Sequence, residues 1–369
     1  MVNALGLIFA YSDGSGMREL TEPRATASIP FCGRYRAIDF MLSNMVNASI
    51  TSVGIIMREG YQSLLDHLGT GKDWELSRKI GGIAFLPPFG YTHWFDLPGM
   101  GKIDALKRNE NYIQNNRQKY AVIGDAHVIA NIKLDDVMDA HMAGGSDVTV
   151  VCSENAGIPE KSTYFMTDPD GSVRDIFYRP ERAYPVESLG LYIMERELLL
   201  EMIACGTSRN MVYLENEVLR AMLPDLKVKT WMHSGYVCVM HTTQKYFADS
   251  MRLLDNHVRR DLFNRENPVY TRIRDEAPTY YGDLSRTRNS LITDGCRIEG
   301  AVENSILFRG VTVAPGASVK NCILMQGTSV ADAASLEYVI TDKFVSISKG
   351  SSIMGSALFP VVIGKGKSV

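Results

Sequence analysis

Residues 305–321 read SILFRGVTVAPGASVKN, residues 322–338 read CILMQGTSVADAASLEY, and residues 339–355 read VITDKFVSISKGSSIMG. Written under one another, the three segments agree column by column. Ile306, Ile323 and Ile340 fall together, as do Val313, Val330 and Ile347, and Val319, Leu336 and Ile353. Gly316, Ala333 and Gly350 fill a column of small residues suited to a corner. A fixed period of this length specifies a solenoid of short parallel strands, each coil burying its aliphatics against the next. A sandwich of short strands would not hold one register over three repeats. Residues 288–304 read as an earlier, shorter coil.

Upstream the pattern changes. Apolar runs at Ala4–Tyr11, Ser52–Met57, Tyr120–Gly124 and Asp147–Cys152 read as strands. Between them, Ile38–Ala48, Tyr61–Leu68, Asp104–Gln118 and Asp135–Met142 have helical spacing. Strand and helix in alternation predict a mostly parallel sheet covered on both faces. Thr243–Phe263 reads as one further helix, followed by the polar, proline-bearing linker Asn264–Leu284. The expected organisation is an α/β domain over residues 1–242, a helix and linker over 243–286, and a β-helix over 287–369. A chain of 369 residues is long enough for two cores.

Composition narrows the function classes. A formal net charge of −3 gives no electrostatic reason to expect nucleic acid or an anionic membrane as partner. The longest apolar runs, such as Leu5–Tyr11 and Tyr120–Ile123, are too short to span a bilayer. The N-terminal residues carry no basic flank or cleavage pattern, so no signal peptide is expected. Six scattered cysteines without a CxxC pair favour reduced, buried thiols and a cytoplasmic location.

Few residues stand out as chemical. The Gly/Ser stretch Ser12-Asp13-Gly14-Ser15-Gly16 follows the first strand, where backbone N–H groups can cradle anions. It lacks GxxxxGK[ST], Glu19 stands where a third glycine would complete a dinucleotide fingerprint, and Asp13 would sit beside any phosphate, so by itself it reads as a surface turn. The seven histidines form neither HExxH nor a partner to GxSxG; His127 and His141 are open to either a ligand or a structural role. Asp125 ends a parallel strand, where such sheets bind ligands and hold Mg²⁺, but a turn or cap role is equally open. Arg34, Arg36 and Asp39 fit an anionic ligand, or an Arg36–Asp39 ion pair locking the loop to its helix, which is preferred.

The run Pro30-Phe31-Cys32-Gly33-Arg34-Tyr35-Arg36-Ala37-Ile38-Asp39-Phe40-Met41-Leu42-Ser43-Asn44 closely resembles the PFGGKYRxIDFxLSN segment of bacterial ADP-glucose pyrophosphorylases (glucose-1-phosphate adenylyltransferases). Tyr61-Gln62-Ser63-Leu64 is similar to that family's YQSxxL, Gly101-Lys102-Ile103-Asp104-Ala105 to GTADA, and Ser188-Leu189-Gly190-Leu191-Tyr192 to SMGIY. The resemblance covers essentially the whole chain. It implies a Rossmann-like nucleotidyltransferase domain followed by a left-handed parallel β-helix. It also implies kinship with enzymes that make ADP-glucose and pyrophosphate from ATP and glucose 1-phosphate. Gln62, Asp104, Arg179, Ser188 and Gly190 are the matching positions for residual substrate binding.

The departures fall on the chemistry. The family's GGxGTRL loop reads Tyr11-Ser12-Asp13-Gly14-Ser15-Gly16-Met17, without its first two glycines and with Gly16 in place of the arginine that would offset developing charge. RAKP reads Arg24-Ala25-Thr26-Ala27, and the lysine of FVEKP is replaced at Arg179. The metal aspartate of GDH falls at Ala126 when His127 is matched to the histidine; Asp125, one position out, would then face the other side of the strand. Tyr236–Thr242, in the region of WRDVGT, has no carboxylate. Mg²⁺-assisted attack on a phosphate needs carboxylates to hold the ion.

This pattern is similar to the GlgD-type regulatory subunit, which implies a largely non-catalytic protein pairing with a catalytic GlgC-type paralogue, as a heterotetramer. The partner would require Mg²⁺ and this chain would bind no cofactor. A sugar-phosphate or nucleotide ligand stays open. The alternative is an active adenylyltransferase in which Asp125 and Arg18 replace the displaced groups. A hexapeptide acyltransferase would need a histidine on the β-helix, and none follows His257.

Overall fold

Ala4–Phe9 (ALGLIF) is apolar on both faces, and all six residues are buried. A strand with no polar face is stable only inside a sheet covered on both sides. In the computed structural model, which describes residues 3–12, 14–87, 101–154, 162–178, 181 and 184–369, this strand lies within a nine-stranded mixed sheet. It pairs in parallel with Ser52–Ile56 and with Tyr120–Asp125. Gly82–Leu86 continues the parallel half beyond Ser52–Ile56. Val186–Glu195 joins Tyr120–Asp125 antiparallel and carries the remaining strands. One core, with Ile8, Ile55 and Val122, covers one face; a second, with Leu7, Phe9 and Ile123, covers the other.

Two expected helices are broken. Asp104–Gln118 is two helices, Lys102–Arg108 and Glu110–Asn115, joined at Asn109, whose Nδ2 donates to the Ala105 carbonyl at 2.8 Å. Thr243–Phe263 divides into Thr243–Arg252 and Asn256–Leu262 because the Asp255 side chain accepts from the His257 backbone and starts a new helix. In both places a local side-chain bond to the backbone overrides a continuous apolar pattern.

The C-terminal region is a left-handed parallel β-helix of three sheets, each with five strands. The columns read from sequence are the pairings observed: Ile306 with Ile323 and Ile340, Val313 with Val330 and Ile347, Val319 with Leu336 and Ile353. At the corner, Gly316, Ala333 and Gly350 have φ of 73°, 56° and 71°, so the column is small because the chain turns through left-handed backbone there. The solenoid begins at Tyr280–Tyr281, which pairs with Arg297–Ile298, ahead of the boundary expected at 287.

One column faces the other way from the expectation. Ile306, Ile323 and Ile340 do not fill the solenoid. They lie on its outer side, packed with Phe308 and Met325 against Met17, Phe31 and Phe40 of the N-terminal domain and Tyr246 and Phe247 of the helix Thr243–Arg252. The interior of that sheet is made by the next residue along, Leu307 and Leu324. Successive side chains on a strand point to opposite faces, and here both faces are buried.

Within this apolar seam the Arg24 guanidinium meets the Asp342 carboxylate at 2.9 Å, with side chains 2% and 0% exposed. Arg24 also donates to the Leu20 carbonyl, and Asp342 accepts the Lys343 backbone N–H. Removing one partner strands the other charge in a dry interface. Arg24→Met should therefore destabilise the protein by about 3–5 kcal/mol, and Arg24→Met with Asp342→Leu by distinctly less. Urea unfolding of both variants checks this; equal losses would mean that the two charges do not act as a pair.

Candidate functional site

The parallel strands Ala4–Phe9 and Tyr120–Asp125 end side by side, and beyond their C-terminal ends opens a cleft of about 710 Å³. Open α/β sheets bind ligands at this edge. Tyr11, Ser12 and Gly16 form one wall of the cleft, so this stretch is not the surface turn expected from its composition. The Tyr11 ring stands edge-on to Phe9 at 5.8 Å, and Ser12 Oγ donates to Thr26 Oγ1 at 3.0 Å. The loop is thus closed by side chains where an open glycine loop would present backbone N–H groups. Gly14 and Ser15 begin the turn Gly14–Leu20, and Asp13 lies outside the described residues. Gly16 is fixed by space: a Cβ there would stand 2.1 Å from the His241 carbonyl oxygen. Arg18 is exposed and is not among the residues lining the cleft, so it does not stand in for a missing catalytic cation.

Asp125 faces the cleft, and Ala126 packs into the core behind it. Asp125 and Ala126 do lie on opposite faces of the strand, as expected, with Ile123 beside Asp125 and Val122 beside Ala126; what differs from the expectation is that the Asp125 face is the one that opens on the cleft. The Asp125 carboxylate is not free. Lys102 Nζ donates to Asp125 Oδ2 at 2.9 Å and to Glu215 Oε1 at 2.5 Å. The same ammonium lies 5.6 Å from the Phe9 ring and 5.2 Å from the Tyr192 ring. Burial works against the Lys102 charge, but the two carboxylates outweigh it and hold the ammonium above its ordinary value. Burial pushes Asp125 up to about 6 against the pull of Lys102; at Glu215 burial also acts against the charge, but Lys102 together with hydrogen bonds from the backbone and Tyr192 outweighs it and lowers the carboxyl.

The backbone explains how these groups meet. Gly101 precedes the helix Lys102–Arg108 and lies against Val212, where a Cβ would come within 1.9 Å of the carbonyl oxygen. That contact, with the Ile103 N–H donating to the same oxygen, sets Lys102 next to the π-helical turn Leu214–Leu219 that presents Glu215. Gly190, at φ +63°, leaves the space that Asp125 occupies; a Cβ there would be 2.1 Å from Oδ2. Ser188 Oγ accepts from the Gly190 N–H at 3.1 Å and shares a hydrogen bond with Tyr192 Oη at 3.0 Å.

Of the candidate substrate positions, Ser188 and Gly190 therefore lie in the cleft. Gln62 is exposed, donating to Asp66 Oδ1 at 3.0 Å, and neither it nor Asp104 lines the cleft. Arg179 lies outside the described residues. His127 and His241 stand 5.6 Å apart on the far wall, and burial pushes His127 down to about 4, so it is neutral. His141 is structural, bonded to Thr149 Oγ1 at 2.8 Å. Among the described residues no group of three or more His, Cys, Asp or Glu is placed to hold a metal ion. Lys102 and Glu215 were not singled out by sequence; the one available signal was a long cation at the second position of a motif that otherwise has threonine.

A second concavity lies between the domains. Arg34, Arg36, Arg272, Arg274, Arg309 and Lys343 line a small pocket with His67. The expected Arg36–Asp39 ion pair is not formed: Arg36 Nη1 donates to Ser63 Oγ at 2.9 Å, while Asp39 pairs with His67 Nε2 at 2.6 Å. Asp39 still receives Arg36, but through the backbone: Asp39 Oδ2 accepts the Arg36 N–H at 3.0 Å, while Oδ1 faces His67. Arg309 is 7% exposed, and its Nε and Nη2 have no partner among the described residues. Burial, reinforced by Arg36 and Arg24, pushes Lys343 down to about 7.

The architecture is thus a mixed α/β sheet with a ligand-binding edge, joined to a three-sided solenoid. A family model described as nucleotidyl transferase matches residues 5–233, and one described as GlmU-like, C-terminal hexapeptide matches residues 279–357. The chain is 39% identical to the glycogen biosynthesis protein GlgD of Bacillus subtilis (strain 168), over 98% of this chain and 96% of that protein. It is 36% identical to GlgD of Geobacillus stearothermophilus, over 85% and 82%. It is 30% identical to the glucose-1-phosphate adenylyltransferase of Pseudothermotoga lettingae, over 86% and 77%. The chain belongs to the family of the GlgD proteins and glucose-1-phosphate adenylyltransferases.

Because Gly190 combines left-handed backbone with contact to Asp125, Gly190→Ala should cost about 1–3 kcal/mol of stability, the range for a side chain forced into a sparsely populated conformation. Urea unfolding reads the loss, and an unchanged midpoint would show that Asp125 can move aside freely.

Proposed function

We propose that this chain is a regulatory, largely non-catalytic subunit in glycogen biosynthesis, which assembles with a catalytic glucose-1-phosphate adenylyltransferase and raises its activity. The observation that carries this reading is the contrast between frame and cleft. The sheet, the solenoid and the residues Ser188 and Gly190 follow the family, while the cleft carboxylate is tied to Lys102 and the phosphate loop is closed by Tyr11 and Ser12. Loss of a single preorganised charge-stabilising group costs about 10²–10³ in rate. Here the loop arginine and an accessible metal carboxylate are both missing.

The proposed partner brings the Mg²⁺-dependent chemistry, the proposed assembly is a heterotetramer, and its proposed place is the cytoplasm. Regulation passes through contacts that differ between the partner's states. The arginine-rich pocket between the domains supports an anionic ligand such as a sugar phosphate, since the buried Arg309 guanidinium, whose Nε and Nη2 have no partner among the described residues, is costly until an anion reaches it.

Co-expression with the catalytic paralogue followed by affinity purification should recover a complex. Adding this chain should raise the partner's kcat/KM by roughly 5- to 150-fold, the range of an ordinary allosteric coupling. No complex, or an unchanged rate, refutes the proposal; ADP-glucose formation by the isolated chain at about 1–10³ per second would instead establish the active-enzyme reading.

The pocket supplies a pH test. Lys343 sheds its proton near 7 in the folded protein, whereas an unfolded chain holds it to about 10.5, so the unfolded state binds more protons between those values. Stability should rise as pH increases from 7 toward 10, and the penalty is complete below 7. An anion favours the charged lysine, so sulfate, whose own charge is constant over this range, should bind several-fold more tightly at pH 6 than at pH 8.5. Calorimetry checks this, and Lys343→Met should remove the pH dependence.

A further inference from the structure

The family's chemistry implies a divalent ion at the end of the strand that carries Asp125, and the residues here do not fit one. Mg²⁺ requires near-octahedral oxygen ligands at about 2.0–2.1 Å and keeps several waters. The oxygens that would serve it, Asp125 Oδ2 and Glu215 Oε1, each already accept from Lys102 Nζ, at 2.9 and 2.5 Å. Beside the ammonium lie the rings of Phe9 and Tyr192. Aromatic faces attract an ammonium but offer no lone pair to a hydrated metal ion.

We infer that Lys102 is a resident cation that occupies the metal position of this cleft, so that the chain excludes a divalent ion there without losing the carboxylates. The covalent cation is held by three features. Gly101 against Val212 sets the root of the side chain, the π-helical turn brings Glu215 to one side of the ammonium, and Gly190 admits Asp125 to the other. One positive charge against two carboxylates leaves the centre with a net charge of −1, which repels a nucleotide phosphate. A divalent ion in place of the ammonium would bring the centre to neutral and remove that repulsion. The inference concerns ion occupancy alone and holds whether or not the chain regulates a partner.

Mn²⁺ binding to the full-length chain, followed by electron paramagnetic resonance, tests the assignment. The unaltered protein should show no one-to-one Mn²⁺ site that disappears on Asp125→Asn. Lys102→Met, which keeps the length of the side chain and removes its charge, should gain one Mn²⁺ per chain, with affinity raised roughly 100-fold or more once the competing charge is gone. Adding Asp125→Asn to Lys102→Met should abolish that site, and Lys102→Arg should leave the protein without it. A one-to-one site in the unaltered protein that depends on Asp125 overturns the inference. So does a Lys102→Met variant that is folded by circular dichroism and binds no Mn²⁺. Should Lys102→Met unfold, refolding on addition of Mn²⁺ supports the inference and failure to refold counts against it.

Discussion

A strand has two faces, and in one sheet of the β-helix both must be buried. Leu307 and Leu324 point into the solenoid, while Ile306, Ile323 and Ile340 point out onto Phe31 and Phe40 of the α/β domain and Tyr246 of the helix Thr243–Arg252. The junction between the domains depends on that double burial. It does not by itself set the register of the coils, since a slip of one residue would exchange one aliphatic column for another; the corner column of Gly316, Ala333 and Gly350, in left-handed backbone, does that. Double burial fixes where the domains meet, and so it creates both the dry environment of Arg24 and Asp342 and the pocket in which the arginines converge.

The cleft follows a different logic. Sheet architecture delivers a carboxylate to the ligand-binding edge whether or not it is used, since Asp125 is placed by the same hydrogen bonds that hold Ala4–Phe9 in the sheet. What the cleft does next is decided by its neighbours. A lysine in the helix Lys102–Arg108 and a glutamate in the turn Leu214–Leu219 turn that carboxylate into part of a closed electrostatic unit. A nucleotidyltransferase frame can therefore persist while its reacting centre is converted into internal structure.

Much of the fold was legible in the sequence because its determinants are local or periodic. The 17-residue columns, the small corner residues and the fully apolar first strand all act through nearest neighbours, so spacing alone reveals them. The exceptions are long-range. Which side of the coil Ile323 faces depends on a second domain that periodicity cannot see. The breaks at Asn109 and Asp255 depend on a single side-chain bond to the backbone. In the site, Ser188 and Gly190 were found through their motif, and Asp125 through its position at a strand end. Lys102 and Glu215 were not found, because they lie far apart in the chain and share no motif. Only the close packing of Gly101 on Val212 makes them neighbours. The guanidinium of Arg36 was assigned to Asp39 from proximity in sequence, yet His67, brought in from another helix, takes that carboxylate.

The outward isoleucine column also bears on how such chains diversify. A solenoid with a polar exterior could be exchanged between relatives as a cassette, since nothing outside it would register the change. This one cannot. Ile306, Ile323 and Ile340 are spaced one coil apart, whereas the residues they meet come from distant parts of the chain. A change of volume on the ladder is therefore felt in those separated segments. The two halves of the molecule are thus bound to a shared history: recombination between their genes would be filtered at this surface, and drift on one side would set the direction of drift on the other.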